Sequence, residues 1–210
     1  IDSLLVYPMG LTLSCNENIN NNISYLRVNF NSEVYGNHTI GTANFRGDLH
    51  INGSSTFDSL DVLGYCLFEG TNTAGYCRLS GDAQFAQDTF DTLLLSSGRI
   101  FRLSSGKTLT INHLLSMPGS CTGSIILQST ESGNQANLFK SLGLVEGNYL
   151  SLRDINATGG AEFTANNSVD LGNNTGWTIN TTSPLDLFWV GGTGNWDDPS
   201  HWAFSSGGLG

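Results

Sequence analysis

Apolar residues recur at every second position along much of this chain. Leu109 and Ile111, and again Leu150 and Leu152, fall on one face while Thr110 and Ser151 fall on the other, which is the period of a half-buried strand. From Gly106 to Ile179 short alternating runs are each followed by Gly, Asn, Ser or Thr. No window of comparable length repeats at helical spacing, so the segment reads as all-β, with turns too frequent for long hairpins. Upstream, Leu26, Val28 and Phe30 share a face opposite Arg27 and Asn29. The alternation resumes at Ala43 to Arg46, at Leu49 and Ile51, and at Leu60 to Leu63, with turns at Gly47 and Asn52-Gly53. Leu4 to Tyr7 and Leu11 to Leu13 are further strands around the turn Pro8-Met9-Gly10, and the Asn-rich stretch from Asn16 to Asn22 is a loop.

One internal echo points to stacked coils. Phe57-Asp58-Ser59-Leu60 recurs as Phe90-Asp91-Thr92-Leu93, and Ile1-Asp2-Ser3-Leu4 is a third copy. Their intervals are unequal, so loops of different length must project if the copies occupy equivalent places. A parallel β-helix tolerates such loops because only its strands need to align. The expected fold is therefore a β-solenoid of short strands. An antiparallel β-sandwich is the alternative, since strands every 8 to 12 residues or so also describe one.

Composition narrows the function. The net charge is -10, with 8 Lys plus Arg against 18 Asp plus Glu, and the cations look scattered. That excludes nucleic acid as a partner, because phosphate contacts need clustered cations, and it disfavours anionic lipid. With 39% apolar residues, 26 glycines and only 12% charged residues the chain does not have the composition of a disordered one. Its apolar runs are far shorter than the roughly 20 residues of a membrane span. It opens on Ile1 without a signal peptide and stops at Ser205-Ser206-Gly207-Gly208-Leu209-Gly210, and so reads as a fragment of something longer.

Candidate chemistry is sparse. The four cysteines are Cys15, Cys66, Cys77 and Cys121, which allow three pairings. Gly64-Tyr65-Cys66 and Gly75-Tyr76-Cys77 repeat one triplet, making Cys66 with Cys77 the first choice and Cys15 with Cys121 the remainder. Zinc competes, but no CxxC and no paired His is present. Calcium is the one cofactor worth considering: Asp154 to Asn156, Asp197-Asp198 and above all Asp170 with Asn173 place oxygen donors close together. Asn and Asp do the same hydrogen-bonding work in turns without an ion.

A β-helix enzyme would need paired carboxylates or a carboxylate-bound cation beside a basic residue. Arg99 and Arg102 near Asp91 are the nearest approach. Gly106-Lys107-Thr108 imitates the end of a phosphate loop but leads into a strand, and His113 and His201 stand alone. No enzyme is expected. Trp189, Trp196 and Trp202, interleaved with Gly and Asn, suit stacking on sugars.

The ordered series GKTLTIN, SIILQST, YLSLRDINATGGAEFTANNSVDLGNNTGW and FWVGGTGNWDDPSHWAFSSGG resembles the repeat units of giant Bacteroidota cell-surface adhesins, the SprB-type gliding-motility adhesins and their relatives. The resemblance covers roughly Gly98 to Gly210. It implies an extracellular, non-enzymatic filament exported by type IX secretion and used in attachment and gliding. Its partners would be neighbouring repeats of the same polypeptide, external surfaces or polysaccharides, and the secretion and motility machinery. It also implies that the tryptophan segment anchors the opening of a following repeat. Residues 1–180 would then be one repeat module, 181–187 a linker without periodicity, and 188–210 the start of the next unit. In such bacteria Asp-Ser/Thr before an apolar residue carries O-glycans, which makes Ser3, Ser59 and Thr92 candidates. The Asn-X-Ser/Thr sequons, at Asn22, Asn37, Asn52, Asn156, Asn166, Asn173 and Asn180, read as turn chemistry.

Overall fold

In the computed structural model, which describes residues 4–6, 11–14, 21–182 and 186–209, the alternating runs become strands that pair in parallel with the coil before and the coil after. Strands β1 (Leu4–Val6) and β2 (Leu11–Ser14) belong to the first coil. They are followed by β3 (Asn21–Val28) with β4 (Ser32–Tyr35), β5 (His38–Phe45) with β6 (Leu49–Asn52), and β7 (Thr56–Val62) with β8 (Cys66–Glu69). Next come β9 (Thr73–Leu79) with β10 (Ala83–Phe85), β11 (Thr89–Leu95) with β12 (Ile100–Leu103), and β13 (Thr108–Pro118) with β14 (Ile125–Ser129). From there each coil has three strands: β15 (Ala136–Lys140), β16 (Leu144–Asn148) and β17 (Leu150–Arg153), then β18 (Ile155–Gly159), β19 (Glu162–Asn166) and β20 (Val169–Asp170). Strand β21 (Trp177–Asn180) closes the stack.

Up to β13 the odd-numbered strands form one sheet and the even-numbered strands the other, so the core lies between two parallel sheets. The fold is an all-β solenoid of about nine coils. A sandwich would need antiparallel neighbours, and the described coil-to-coil strand pairs are parallel.

Period-two alternation decides which residues enter the core, and the coil length decides what they meet there. Leu26, Ala43, Leu60 and Cys77 are in register, each 17 residues after the last, and Leu93 and Leu115 extend the column. In the opposite sheet Leu49, Cys66, Ala83, Phe101, Leu127 and Leu152 stack in the same way. Because like positions sit only about 4.8 Å apart, neighbours in a column must fit one another, by alternating in size or by stacking flat. Ala74 lies in register between Phe57 and Phe90. In the second sheet Phe68 and Phe85, on neighbouring strands, stack at 5.5 Å between ring centroids, and Phe90 from the facing sheet meets both edge-on at 5.6 and 5.9 Å. All three rings are buried, each contributing about 2–3 kcal/mol of apolar burial.

The Asp-Ser/Thr-Leu echo is explained by this register. Leu60 and Leu93 share a column through Cys77, two coils apart, and Leu4 pairs with Leu26 at its start. Leu109, Ile111, Leu150 and Leu152 are buried, with Thr110 and Ser151 half-buried outside. Phe30 departs from the expected pattern: β3 stops at Val28, and Phe30 lies in the turn, 37% exposed.

The first sheet forks at β13. Thr108 to Thr110 pair with Asn137 to Phe139 of β15, while Met117 and Pro118 pair with Gly147 and Asn148 of β16. Between these ends the register with β11 slips, so that β13 carries an extra residue. Such a bulge leaves carbonyls without ladder partners, and the buried Lys140 supplies them: its Nζ donates to the carbonyls of Asn112 (3.2 Å) and His113 (2.6 Å).

At one corner of the early coils, Gly36, Gly53 and Gly70 recur every 17 residues with φ of 86°, 147° and 93°. A Cβ on Gly70 would overlap the carbonyl oxygen of Gly53 in the coil before. Gly70→Ala is expected to lower stability by about 2 kcal/mol or more, read as a shift of the urea midpoint. Gly106→Ala, also at positive φ (68°) but with nothing within 4 Å, is expected to cost about half as much. Equal costs would remove the close approach between coils as the cause.

Candidate functional site

The aromatic-rich segment after the solenoid forms its own small unit. Strand β22 (Phe188–Trp189) pairs antiparallel with β23 (Trp202–Ala203). The connection turns at Gly191 and Gly192, both at positive φ. It returns through a short 3-10 turn, Pro199–His201, whose N-cap Asp198 accepts hydrogen bonds from the Ser200 backbone N–H (3.0 Å) and hydroxyl (2.7 Å). Those two donors hold the Asp198 carboxyl below its ordinary range.

This short hairpin brings the tryptophans together. Trp189 stacks on His201 (4.7 Å, 6°) and lies nearly parallel to Trp196 (6.5 Å, 18°), while Trp202 meets Trp189 and Trp196 edge-on at 5.3 and 4.4 Å. Two of the three indole N–H groups are tied down: Trp189 Nε1 donates to the Gly192 carbonyl at 2.6 Å and Trp202 Nε1 to the Trp196 carbonyl at 2.8 Å. Trp202 and His201 are thus the support, and Trp196, 78% exposed, is the displayed ring. An exposed indole backed by other rings suits the C–H face of a sugar ring.

The remaining candidates are dispersed along the solenoid. Ser59 and Thr92 are half-buried on the outer face of the first sheet, in register through Tyr76 and each beside an exposed aspartate, Asp58 or Asp91. Ser3 lies outside the described residues. Asp170 and Asn173 sit in one turn with separate protein partners. Asp170 Oδ1 accepts from Gly172 N (2.9 Å) and from the Asn174 amide. The Asn173 amide donates to Asp154 Oδ1 (2.6 Å) and to the Gly133 carbonyl (3.3 Å). Among the described residues no group of three or more His, Cys, Asp or Glu is placed to hold a metal ion.

The expected Cys66–Cys77 disulfide is absent. Both are free, fully buried thiols. The repeated Gly-Tyr-Cys triplet puts Cys66 in the Leu49 column of one sheet and Cys77 in the Leu60 column of the other, where each serves as a small core residue. Burial pushes both thiols well above their usual range, and their neighbour Asp88 adds to the effect. Cys121 is free and exposed, and Cys15 lies outside the described residues.

The catalytic pairing of Arg99 and Arg102 with Asp91 does not form either. Asp91 is on β11 in the first sheet and accepts from the Asn112 amide (2.7 Å), whereas Arg102 is on β12 in the second.

One constellation was not singled out in the sequence. Ser55, Asn72 and Asp88 succeed each other along a buried corner. Ser55 N donates to Asn72 Oδ1 (2.9 Å), while the Asn72 backbone N–H and side-chain amide both donate to Asp88 Oδ1 (3.0 Å each). Ala86 N donates to Asp88 Oδ2 (2.9 Å). Burial pushes the Asp88 carboxyl up to about 6, against the pull of these donors. A general acid needs contact with its substrate, and this one is sealed in the core, so its role is to satisfy the corner. The signal in the sequence is the coil spacing, which no local motif reveals.

No family model, no curated protein and no solved structure matches this chain.

Asp88 also sets a pH dependence. Its carboxyl lies at about 6 in the fold against an ordinary 3.8, so the fold prefers the protonated form. The stability this contributes is fully present below about 3.8 and is lost as pH rises through about 6, by roughly 2–3 kcal/mol. Unfolding free energy measured from pH 4 to 7 should therefore fall more steeply in the wild type than in Asp88→Asn, and parallel curves would count against the assignment. In the same preparation Cys121 should react with a thiol reagent in the native state, and Cys66 and Cys77 only on unfolding.

Proposed function

We propose that this chain is a non-enzymatic stalk and attachment module of a long secreted cell-surface filament. The observation that carries the reading is the parallel strand order that runs from β3 through the fork at β13 to β21, in which the most deeply buried acid and thiols are sealed inside the core. About nine coils at about 4.8 Å each span roughly 40 Å. A module of this kind provides length at a fixed rise per residue, and stacking such modules extends the reach without new chemistry.

The likeness of its second half to SprB-type adhesin repeats is the ground for placing it outside the cell, in a filament exported by type IX secretion and moved by a separate motor during gliding. O-glycans on Ser59 and Thr92, and calcium near Asp170 and Asn173, belong to the same reading. Attachment comes from many weak contacts made by many repeats at once. The exposed Trp196 and its stacked neighbours favour a second reading, a carbohydrate-binding module.

Beads carrying one copy or a tandem array of the chain, held on glass or polysaccharide films under flow, test the reading. Tandem arrays should detach at least about tenfold more slowly than single copies, with no new reducing ends or unsaturated uronates released from the film. Release of sugar products would overturn the non-enzymatic reading. Tight binding of a single copy to one glycan class, abolished by Trp196→Ala, would move the carbohydrate-binding reading to first place.

A further inference from the structure

Arg27, Arg46 and Arg78 are far apart in the sequence and meet in one pocket. Arg27 on β3, Asn44 on β5, Asp61 on β7 and Arg78 on β9 are in register on the outer face of the first sheet, at steps of about 4.8 Å. Arg46 follows just beyond the end of β5. Together with Tyr25 and Leu63 they line a pocket of about 310 Å³. Three of the chain's eight Lys and Arg residues therefore gather at one place on a protein of net charge -10, where the sequence alone suggested scatter.

The charges in this pocket do not cancel. Arg78 forks onto Asp61, Nε donating to Oδ1 at 3.1 Å and Nη2 pairing with Oδ2, so the one carboxylate lining the pocket is taken. Arg27 and Arg46 pair with no carboxylate among the described residues. The guanidinium groups of the half-buried Arg27 and the exposed Arg46 therefore line the pocket without a carboxylate partner among the described residues, and this group binds planar or tetrahedral oxyanions through paired hydrogen bonds. The half-buried Tyr25 ring and the exposed Leu63 supply apolar surface beside them.

We propose that this pocket binds the carboxylate or sulfate of an acidic sugar within a polysaccharide. Its volume is at the small end of the range for small-molecule sites, about 300–1,000 Å³, which suits a single sugar unit. The outer face of the same sheet carries Asp58 and Asp91, so the free cations form one local spot flanked by acids and not the extended cationic groove that tracks a nucleic-acid backbone. The attachment reading bears on this proposal only as the source of the polymer.

The test is titration of the purified chain with polygalacturonate and with dextran sulfate, alongside neutral dextran, inorganic sulfate and single-stranded DNA. Both acidic polysaccharides should bind, more weakly as salt is raised, while neutral dextran should not. The double variant Arg27→Gln/Arg46→Gln should bind at least about tenfold less tightly, as expected for the loss of charge-assisted contacts. Lys107→Gln, an exposed cation elsewhere, should leave binding unchanged. Arg46→Gln alone, at an exposed position outside the strand, is the second variant and should weaken binding about threefold. Unchanged affinity in both arginine variants, binding of free sulfate only, or tighter binding of DNA than of either polysaccharide would overturn the proposal. If these fail while tandem arrays still detach slowly from surfaces, the pocket is lost and the stalk reading stands.

Discussion

Every coil of this protein is held by the backbone ladder to the coil on either side, and that ladder fixes what each side chain meets. With strands about 4.8 Å apart, a residue in the core is confined between its own counterparts in the coils above and below. Ala74 between Phe57 and Phe90 follows from this constraint, and so does the use of Cys66 and Cys77 as small core residues. The same constraint acts on the backbone, because a corner such as Gly70 is pressed against the Gly53 carbonyl of the preceding coil. At three irregular places polar side chains bond backbone groups: Lys140 the carbonyls of the β13 bulge, Asn72 and Asp88 the N–H groups of Ser55, Asn72 and Ala86 at the buried corner, and Asp154 and Asn173 the N–H and carbonyl of Gly133 in the last coils.

Strands were legible in the sequence because a half-buried strand must alternate, and Leu109, Ile111, Leu150 and Leu152 do so without interruption. The coil length was harder to read. Columns such as Leu26, Ala43, Leu60 and Cys77 preserve orientation and fit rather than identity, so the repeat carries little self-similarity. Where identity is preserved, at Gly36, Gly53 and Gly70, it marks a backbone requirement. The triplet around Cys66 and Cys77 misled for the opposite reason: likeness of neighbouring residues ignored the turn that sends the two thiols to facing sheets.

Sites formed by stacking were invisible until the register was known. Arg27, Arg46 and Arg78 belong to different coils and acquire a common surroundings only through Asn44 and Asp61. The tryptophans were conspicuous as a local density, since Trp189, Trp196 and Trp202 belong to one short hairpin, but their division into supporting and displayed rings depends on the contacts of His201 and Trp202. Sequence therefore exposes local sites better than sites assembled across coils. A solenoid of this kind separates its tasks: the interior secures the rod, and the outer columns are free to carry contacts for whatever the rod touches.

All of these relations depend on the register, and a distance measured across several coils tests it most directly. Thr39, Thr56, Thr73, Thr89 and Thr110 are successive partners along the outer face of the first sheet. Spin labels at cysteines replacing Thr39 and Thr110, in a chain with Cys15 and Cys121 changed to serine, span four coil steps. Pulsed electron resonance should give one narrow distribution consistent with a backbone separation of about 19 Å, four times the roughly 4.8 Å between strands. A broad distribution, or one centred far beyond that length, would contradict the solenoid register and every site built on it.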